Sequence, residues 1–262
     1  YVKSEGRVFL FACPGSGKTT TVAYKLSKLT SAWEMNYPKY AGVACLSFTN
    51  IAKEEIYSKY SEFSNSYIRY PHLVSTIDSF INKYITLPFF SSLFPGIARP
   101  KIIEDGNIIN SAWRRSPESN TFRNPKNQPL DFSYPPTDIH LEIDGSFTYR
   151  GKNPQSVDPK IFYNYAKAVK NWQIKKKGFL TIGDSSYVAL KLLKTLPRIA
   201  EWVARRFPVI IVDEAQDTSE IQFEILNLIA DAGVRSLELI GDPYQGLYEW
   251  RDAEPSIFMS NI

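Results

Sequence analysis

Short apolar runs alternate with segments of helical periodicity over most of the chain. The run RVFLFAC at residues 7–13 leads through a glycine-rich stretch into a segment whose apolar residues Val22, Leu26 and Leu29 have helical spacing. Other strand-like runs that precede a helical or turn-like segment are AGVACLSF, HLVSTID, FPVIIVDEA and SLELIGD. Continuous apolar strands that alternate with helices predict a parallel sheet covered on both faces, so the predicted fold class is α/β.

The middle of the chain has a different pattern. Ten of the 17 prolines lie between residues 88 and 159, and the periodicity fades there. The segment HLEIDGSFTYR alternates apolar and polar residues around the Asp-Gly pair at 144–145, which predicts a β-hairpin with a two-residue turn. The predicted division of the chain is a core at 1–87, an inserted, mixed but mainly helical subdomain at 88–203, and the rest of the core at 204–262.

The composition restricts the class of protein but does not indicate a function. The 262 residues are 44% hydrophobic, enough for a substantial core. Two cysteines exclude a disulfide framework, and no apolar run is long enough to span a membrane, so we expect a cytoplasmic protein without a membrane partner. The chain begins at Tyr1 and meets its first motif by residue 12, which suggests that it is a fragment of a longer protein.

The positive charge is concentrated. Between Arg150 and Lys177 there are eight Lys or Arg and one acid, Asp158, which gives this segment a charge of +7 within a chain of net charge +4. Its aromatic residues are Phe162, Tyr163, Tyr165 and Trp172. Basic and aromatic side chains together suit contact with a nucleic-acid backbone, but a run of charge is equally typical of a solvated helix face, and both interpretations stay open.

A phosphate-binding loop follows the first strand. The stretch ACPGSGKTT matches the P-loop pattern, with Ala12 where the first glycine is usual. Its glycines let successive N–H groups face phosphates, and the following helix directs its positive end to the same place. Lys18 would reach the β and γ phosphates of a nucleotide, and the Thr19 hydroxyl would bind Mg²⁺. The alternative is a plain glycine turn before a helix. The predicted nucleotide-binding residues are Ala12, Cys13, Pro14, Gly15, Ser16, Gly17, Lys18, Thr19 and Thr20.

An acidic pair ends a second apolar strand. After the apolar residues 209–212 come Asp213 and Glu214, at the end where open α/β sheets bind ligands. Asp213 would hold Mg²⁺, and Glu214 would act as general base for the attacking water. Two neighbouring carboxylates also occur in solvated turns. That alternative is weakened because these acids end a wholly apolar strand in a chain that already has a P-loop pattern.

The order of the motifs narrows the family. Besides the phosphate loop, the chain contains LSFTNIAKEEI, STIDSF, VDEAQDTSEIQ and GDPYQGLYEWRDA in this order. Together they resemble the ordered motifs of the UvrD/Rep/PcrA family of superfamily 1 DNA helicases. The resemblance covers the α/β part and does not extend convincingly into residues 88–180. It implies a RecA-like core that uses ATP and Mg²⁺ to move on single-stranded DNA in the 3′-to-5′ direction.

The resemblance also assigns residues. It makes Gln245 the sensor of the γ-phosphate and therefore a catalytic residue beside Lys18 and Glu214. Gln216 belongs to the acidic motif, and Asp78 stands where the family more often has His. The residues implied to contact DNA are Ser47, Phe48, Thr49, Asn50, Thr76, Tyr248, Trp250 and Arg251. Aromatic faces stack on any base, which suits motion along arbitrary DNA, although each of these aromatics could instead belong to the core.

Three functional hypotheses follow. The first is the N-terminal half of an ATP-dependent DNA helicase that acts on single strands and on junctions of single strand and duplex. The family carries a second RecA-like domain with an arginine finger, which we expect in the full-length chain, so the fragment alone should hydrolyse ATP weakly. The second is a nucleotide-gated DNA sensor in a larger assembly, such as a phage-defence complex with a nuclease. The third is a P-loop ATPase unrelated to helicases.

Overall fold

The computed structural model describes residues 1–13, 15–97, 99–124 and 127–242. Its strands are β1 (Gly6–Phe11), β2 (Val43–Ser47), β3 (Leu73–Thr76), β4 (Lys101–Ile102), β5 (Ile139–Leu141), β6 (Phe147–Tyr149), β7 (Phe179–Leu180), β8 (Val209–Val212) and β9 (Ser236–Gly241). Its α-helices are α1 (Lys18–Ser31), α2 (Asn50–Ser64), α3 (Ile77–Ile81), α4 (Leu87–Leu93), α5 (Gly106–Arg114), α6 (Pro159–Lys170), α7 (Ile182–Thr195), α8 (Arg198–Arg206) and α9 (Glu220–Asp231). Two π-helical segments follow α3 and α6, at Asn82–Thr86 and Asn171–Lys176.

The chain divides into two compact units. The first consists of Tyr1–Phe80 and the described residues from Leu193 onward, and the second is Ile81–Leu192. The sequence pattern places the insertion at 88–203, so the second unit begins and ends earlier than that range. Most of helix α8 falls within the predicted insertion, but the helix packs against α9 in the first unit.

A parallel sheet forms the centre of the first unit. Its strand order is β1-β9-β8-β2-β3, and each neighbouring pair is parallel. All residues of β2, β8 and β9 are buried, as expected for strands covered on both faces. The predicted α/β class is therefore confirmed. The register aligns strand ends, pairing Phe11 with Gly241, Leu46 with Val212, and Ser47 with Thr76.

The core of the first unit joins α1 and α2 to the sheet. Val22 and Leu26, one helical turn apart, are fully buried, as their spacing predicts. Burying such an aliphatic side chain contributes about 1.5–3 kcal/mol, and a Leu26→Ala change would cost about 2–5 kcal/mol. The other buried members of this cluster are Ala23, Trp33, Val43, Cys45, Ile56, Tyr60, Val74, Val209, Ile211 and Ile240.

A buried ion pair also connects α1 to the sheet. Lys25 Nζ lies 2.7 Å from Glu238 Oε1, with only 2% and 1% of the two side chains exposed. The same ammonium donates to the backbone carbonyls of Tyr1 and Ser4 at 3.1 and 2.9 Å. A buried charge pair offsets its desolvation only when it has such additional hydrogen bonds. The pair therefore holds α1 at a defined position on β9.

The second unit has its own core around Trp113, Tyr165 and Trp172. It contains the parallel pair β4 and β7 and the antiparallel hairpin β5–β6. The hairpin was predicted correctly, but its two-residue turn was not. Gly145 N–H donates to Glu142 C=O at 2.9 Å, and Gly145 has φ +83°, so the connection is a longer turn with a left-handed glycine.

A buried polar network lies in the second unit, where α6 ends and the π-helical segment Asn171–Lys176 begins. Lys170 Nζ lies 2.7 Å from Asp184 Oδ1, and the Gln173 amide donates to Asp184 Oδ2. Thr181 adds hydrogen bonds to Asp184 from its hydroxyl and its backbone N–H.

In the part of the chain that the structure describes, no helix combines the length and hydrophobicity needed to cross a membrane.

Candidate functional site

The loops that follow the central strands emerge at one edge of the sheet. Because the register aligns the ends of β1, β2, β3, β8 and β9, residues that are far apart in sequence lie along this carboxyl edge. Parallel α/β sheets bind their ligands there. Most of the predicted site residues follow these strand ends directly.

Two residues of the glycine loop at residues 12–17, Gly15 and Gly17, have the backbone that the sequence predicts. Gly15 and Gly17 have φ values of +71° and +80°, in the left-handed region that favours glycine. Gly17 precedes the first residue of α1, and no side chain among the described residues caps this helix start. The N–H groups of the first turn are therefore directed to the end of the loop, where a phosphate would be stabilised. Ala12 N–H donates to Gly241 C=O at 3.2 Å, which joins the loop to β9.

The Lys18 side chain is unusual because its charged group is buried. Only 7% of the residue is exposed, yet its ammonium has no hydrogen-bond partner among the described residues. The nearest acidic atom is Glu214 Oε2, at 3.5 Å. A buried ammonium usually has hydrogen-bond acceptors, because its desolvation is otherwise costly. This position is therefore suited to accept an additional anion, such as a phosphate group.

Thr19 and Asp213 lie opposite each other. The Thr19 hydroxyl donates to Asp213 Oδ2 at 3.3 Å, and Asp213 itself is fully buried. Burial and the neighbouring Glu214 charge raise the pKa of Asp213 from 3.8 to about 6. Hydrogen bonds from Glu214 N–H and Thr19 and the charge of Lys18 oppose this rise in the pKa. A hydroxyl and a buried carboxylate facing one another are suitable oxygen ligands for Mg²⁺.

Glu214 has an uncommon backbone. Its φ and ψ of 54° and 45° place a non-glycine residue in the left-handed region, at the turn between β8 and the 3₁₀ segment Ala215–Asp217. Such conformations cost energy and occur often at functional sites. The side chain is 29% exposed, and Gln216 Nε2 donates to Glu214 Oε2 at 2.7 Å. Glu214 is thus accessible and at the same time held by Gln216, a residue to which the sequence assigned no role of its own.

The residues predicted to contact DNA after β2 and β3 lie at the same edge. Phe48 is half-buried, and Thr49 and Asn50 are exposed. Thr49 Oγ1 accepts from Ala52 N at 3.1 Å and so caps α2, while Thr76 Oγ1 similarly accepts from a backbone N–H in α3. These local hydrogen bonds explain why threonine occurs at both helix starts without any ligand. Their contact with DNA stays a prediction.

Asp78 is connected to the helix that follows the acidic turn. Gln222 Nε2 donates to Asp78 Oδ1 at 2.7 Å, and Gln222 also forms the capping box of α9 with Ser219. Burial raises the pKa of Asp78 above its usual value, and the Gln222 hydrogen bond opposes that rise. This contact connects the start of α3 to the start of α9. The sequence did not suggest it.

Some predicted site residues cannot be placed. Pro14, Gln245, Tyr248, Trp250 and Arg251 lie outside the described residues.

The basic segment at residues 150–177 divides into exposed and occupied positions. Its aromatic residues Phe162, Tyr165 and Trp172 are buried in the core of the second unit, so they offer no face to a base. Lys170 is buried beside Asp184. Arg150 and Lys176 form ion pairs with Asp138 and Glu118. Nucleic-acid contact by this segment remains a prediction for its exposed lysines and for Tyr163, which is 47% exposed.

Comparison with known proteins gives one family. The model of the UvrD/REP helicase N-terminal domain matches residues 1–262. The Gabija protein GajB of Bacillus cereus (strain VD045) is 24% identical over 258 residues, which cover 98% of this chain and 41% of that protein. The ATP-dependent DNA helicase PcrA of Leuconostoc citreum is 22% identical over 270 residues, which cover 99% of this chain and 33% of that protein.

A further match covers a shorter part of the chain but has a higher sequence identity. An ATP-dependent helicase/nuclease subunit from Listeria monocytogenes (serotype 4b, strain F2365) is 33% identical over 91 residues, which cover 33% of this chain and 7% of that protein. The chain thus spans less than half the length of each of these three relatives.

Proposed function

The chain belongs to the UvrD/REP helicase family as an N-terminal domain, and from this we propose that it is the ATP-binding and ATP-hydrolysing motor domain of a helicase that moves on single-stranded DNA. The observation that supports this most directly is the buried ammonium of Lys18, the residue that follows the glycine loop. This ammonium lacks a hydrogen-bond partner among the described residues. An acidic turn with Asp213 and Glu214 lies beside it.

The described residues fit ATP and Mg²⁺. When bound, ATP supplies the γ-phosphoryl group that is transferred to water, and Mg²⁺ neutralises charge on the phosphates. The backbone N–H groups of the glycine loop and of the start of α1 would hold the phosphates, and Lys18 would contribute positive charge. Thr19 and Asp213 would hold the metal. In the full-length protein Gln245, which lies outside the described residues, would complete this set.

Glu214 is the proposed general base. Its carboxylate is partly exposed and lies 3.5 Å from the Lys18 ammonium, so it is close to the place where the γ-phosphate would bind. A carboxylate in that position can accept a proton from the attacking water. Asp213 is fully buried and faces Thr19, which suits a ligand better than a base. The two neighbouring acids therefore take different roles because of their different exposure.

The proposed DNA path follows the same edge of the sheet. Phe48, Thr49, Asn50 and Thr76 would contact single-stranded DNA, with the Phe48 ring as a stacking face. The 3′-to-5′ direction follows from the family resemblance. A second RecA-like domain in the full-length protein would close over the nucleotide. It would supply an arginine, which is worth roughly 10³–10⁵ in rate in related phosphoryl-transfer enzymes.

Two variants of the full-length protein test the proposal. Lys18→Ala should weaken binding of a fluorescent ATP analogue about 10- to 100-fold, because a charge-assisted hydrogen bond is lost. Glu214→Gln should keep near-normal binding but lower DNA-stimulated hydrolysis about 10²- to 10⁴-fold, the usual contribution of a general base. Lys194→Ala is the control, because that lysine pairs with Glu224 at 3.3 Å, away from the glycine loop. Unchanged affinity in Lys18→Ala, or unchanged hydrolysis in Glu214→Gln, would refute the assignment.

A second candidate is a nucleotide-gated DNA sensor in a larger assembly that includes a nuclease, such as a phage-defence complex. The similarity to a Gabija protein and to a protein named as part of a helicase/nuclease supports this candidate. Glu214→Gln also separates the two functions. A motor without its base loses its output, whereas a switch that responds to nucleotide binding retains or prolongs its output.

A further inference from the structure

The side chain of Gln216 connects the acidic turn to the end of β9. It is 3% exposed, and both ends of its amide are engaged. Nε2 donates to Glu214 Oε2 at 2.7 Å, and Oε1 accepts from Asp242 N–H at 3.0 Å. A single buried amide therefore spans the proposed general base and the backbone that follows the last central strand. An amide can do this because it carries a donor and an acceptor on the same carbon.

Gly241 makes room for this arrangement. A Cβ added at Gly241 would lie 2.3 Å from Gln216 Oε1, so the amide would have to shift, and 3.2 Å from Gln216 N, which is a tight contact. Glycine at this position therefore leaves the room that the Gln216 amide occupies. The Gly241 carbonyl accepts from Ala12 N–H at 3.2 Å. The end of β9 consequently contacts both the glycine loop and Gln216.

The contacts of the Glu214 carboxylate show what Gln216 controls. Gln216 and Lys18 approach the same oxygen, Oε2, at 2.7 and 3.5 Å. If the Lys18 ammonium moves away from Glu214 to bind a phosphate, the hydrogen bond from Gln216 is the one of these two contacts that stays. With Oε2 held, Oε1 is the oxygen directed to accept a proton. Glu214 also has a left-handed backbone, so neighbouring contacts are needed to keep the residue in place.

We propose that Gln216 is a positioning residue that sets the Glu214 carboxylate according to the position of Gly241 and Asp242. A displacement of the end of β9 would then change the rate of hydrolysis while nucleotide binding stays the same. Asp242 immediately precedes the segment with the predicted nucleotide and DNA contacts, so this link would carry a change in that segment to the base. The inference rests on the proposed role of Glu214.

Three substitutions in the full-length protein test the link. Gln216→Met keeps the size of the side chain and removes both hydrogen bonds. Gln216→Glu keeps an acceptor for Asp242 N–H but, as a carboxylate, cannot donate to Glu214. Gly241→Ala leaves Gln216 unchanged and displaces its amide from the opposite side. The readouts are kcat and KM for ATP at saturating single-stranded DNA, the affinity for a fluorescent ATP analogue, and the thermal unfolding midpoint.

We expect both Gln216 variants to lower kcat about 10- to 100-fold, the range for losing a hydrogen bond to a charged group that orients a reacting side chain. Gly241→Ala should lower kcat in the same direction. KM and nucleotide affinity should stay near the wild-type values, and the unfolding midpoint should fall by only a few degrees because buried hydrogen bonds are lost. Glu224→Gln, which alters an ion pair on α9, is the matched control and should change none of these quantities.

Two results would overturn the inference while the proposed function stands. One is a wild-type kcat in Gln216→Met. The other is a parallel loss of kcat, nucleotide affinity and thermal stability in all three variants, which would show a merely structural role. The proposed function fails in a different way, with no DNA-stimulated hydrolysis in the wild type or with full activity in Glu214→Gln. The two failures can therefore be told apart.

Discussion

Replacing Asp213 with asparagine should make the protein more stable and inactive at the same time. The fully buried carboxyl group has a pKa of about 6, raised from 3.8 by burial and by Glu214. A rise of about two pK units corresponds to about 3 kcal/mol, the cost of holding the ionised group in the folded state. Above pH 6 the wild type bears this cost in full, and Asp213→Asn removes it. Loss of the carboxylate hydrogen bonds reduces the gain, so we expect a net stabilisation of about 1–2 kcal/mol at pH 8.

The sign of the pH dependence follows from the direction of the shift. Between pH 3.8 and about 6 the folded wild type binds a proton that the unfolded chain does not bind, so its stability rises as the pH falls through this window. The advantage of Asp213→Asn should therefore shrink on acidification and vanish below pH 4, because Asp213 is then neutral in the wild type too.

Thermal unfolding at several pH values measures this effect. At pH 8 the midpoint of Asp213→Asn should rise by roughly 2–4 °C for each kcal/mol gained. DNA-stimulated hydrolysis should be lost, because the proposed Mg²⁺ ligand is removed. Glu224→Gln is the control, since it changes a more exposed carboxyl group and should shift the midpoint only slightly. A variant that is less stable at pH 8, or equally stabilised at pH 4 and pH 8, would contradict the assignment of a costly buried charge.

Two further predictions concern stability. Lys25→Ala should cost about 3–5 kcal/mol in urea denaturation because it leaves the buried Glu238 carboxylate without its cation, and Lys25→Met combined with Glu238→Leu should recover most of that loss. A double variant as unstable as the single one would count against the pair. Gln222→Ala should cost about 1–2 kcal/mol, more than Ser219→Ala, because it breaks the capping box of α9 and also the hydrogen bond to Asp78. Equal losses in the two variants would show that the Asp78 contact contributes nothing.

The sequence predicts the central sheet well because its signal is local. Strand β8 consists of four consecutive apolar residues, and all of them are buried. Strands β4 and β7 have two residues each and, within the described part of the chain, pair only with one another, so no pattern along the sequence could reveal them. Pro88 explains part of the boundary difference. The proline-rich pattern places the start of the insertion at Pro88, but this residue lies in the first turn of α4, where proline is tolerated, and the second unit begins before it.

Some features of the candidate site could likewise be predicted from the sequence, and others could not. The position of Lys18 at the start of α1 and of Asp213 at the end of β8 follows from short motifs. The burial of the Lys18 ammonium without a hydrogen-bond partner among the described residues depends on the fold and could not be inferred from sequence. Gln216 contacts the backbone of Asp242, 26 positions away, and Gln222 contacts Asp78, 144 positions away, so their neighbours in sequence give no sign of these two contacts. Aromatic residues beside lysines were ambiguous for a related reason, since Trp172 proved to be part of a core.

The contacts at the sheet edge also limit how strongly DNA could control hydrolysis through this domain alone. A hydrogen bond to a charged group is worth about 1.5–3 kcal/mol, which corresponds to about 10- to 150-fold in rate. If the end of β9 acts on Glu214 only through Gln216, displacing it can change hydrolysis by no more than this factor. An arginine supplied from a second domain is worth roughly 10³–10⁵. Stimulation by DNA well above about 150-fold would therefore require domain closure in addition to the Gln216 link. Stimulation within that range that disappears in Gln216→Met would assign the control to this link.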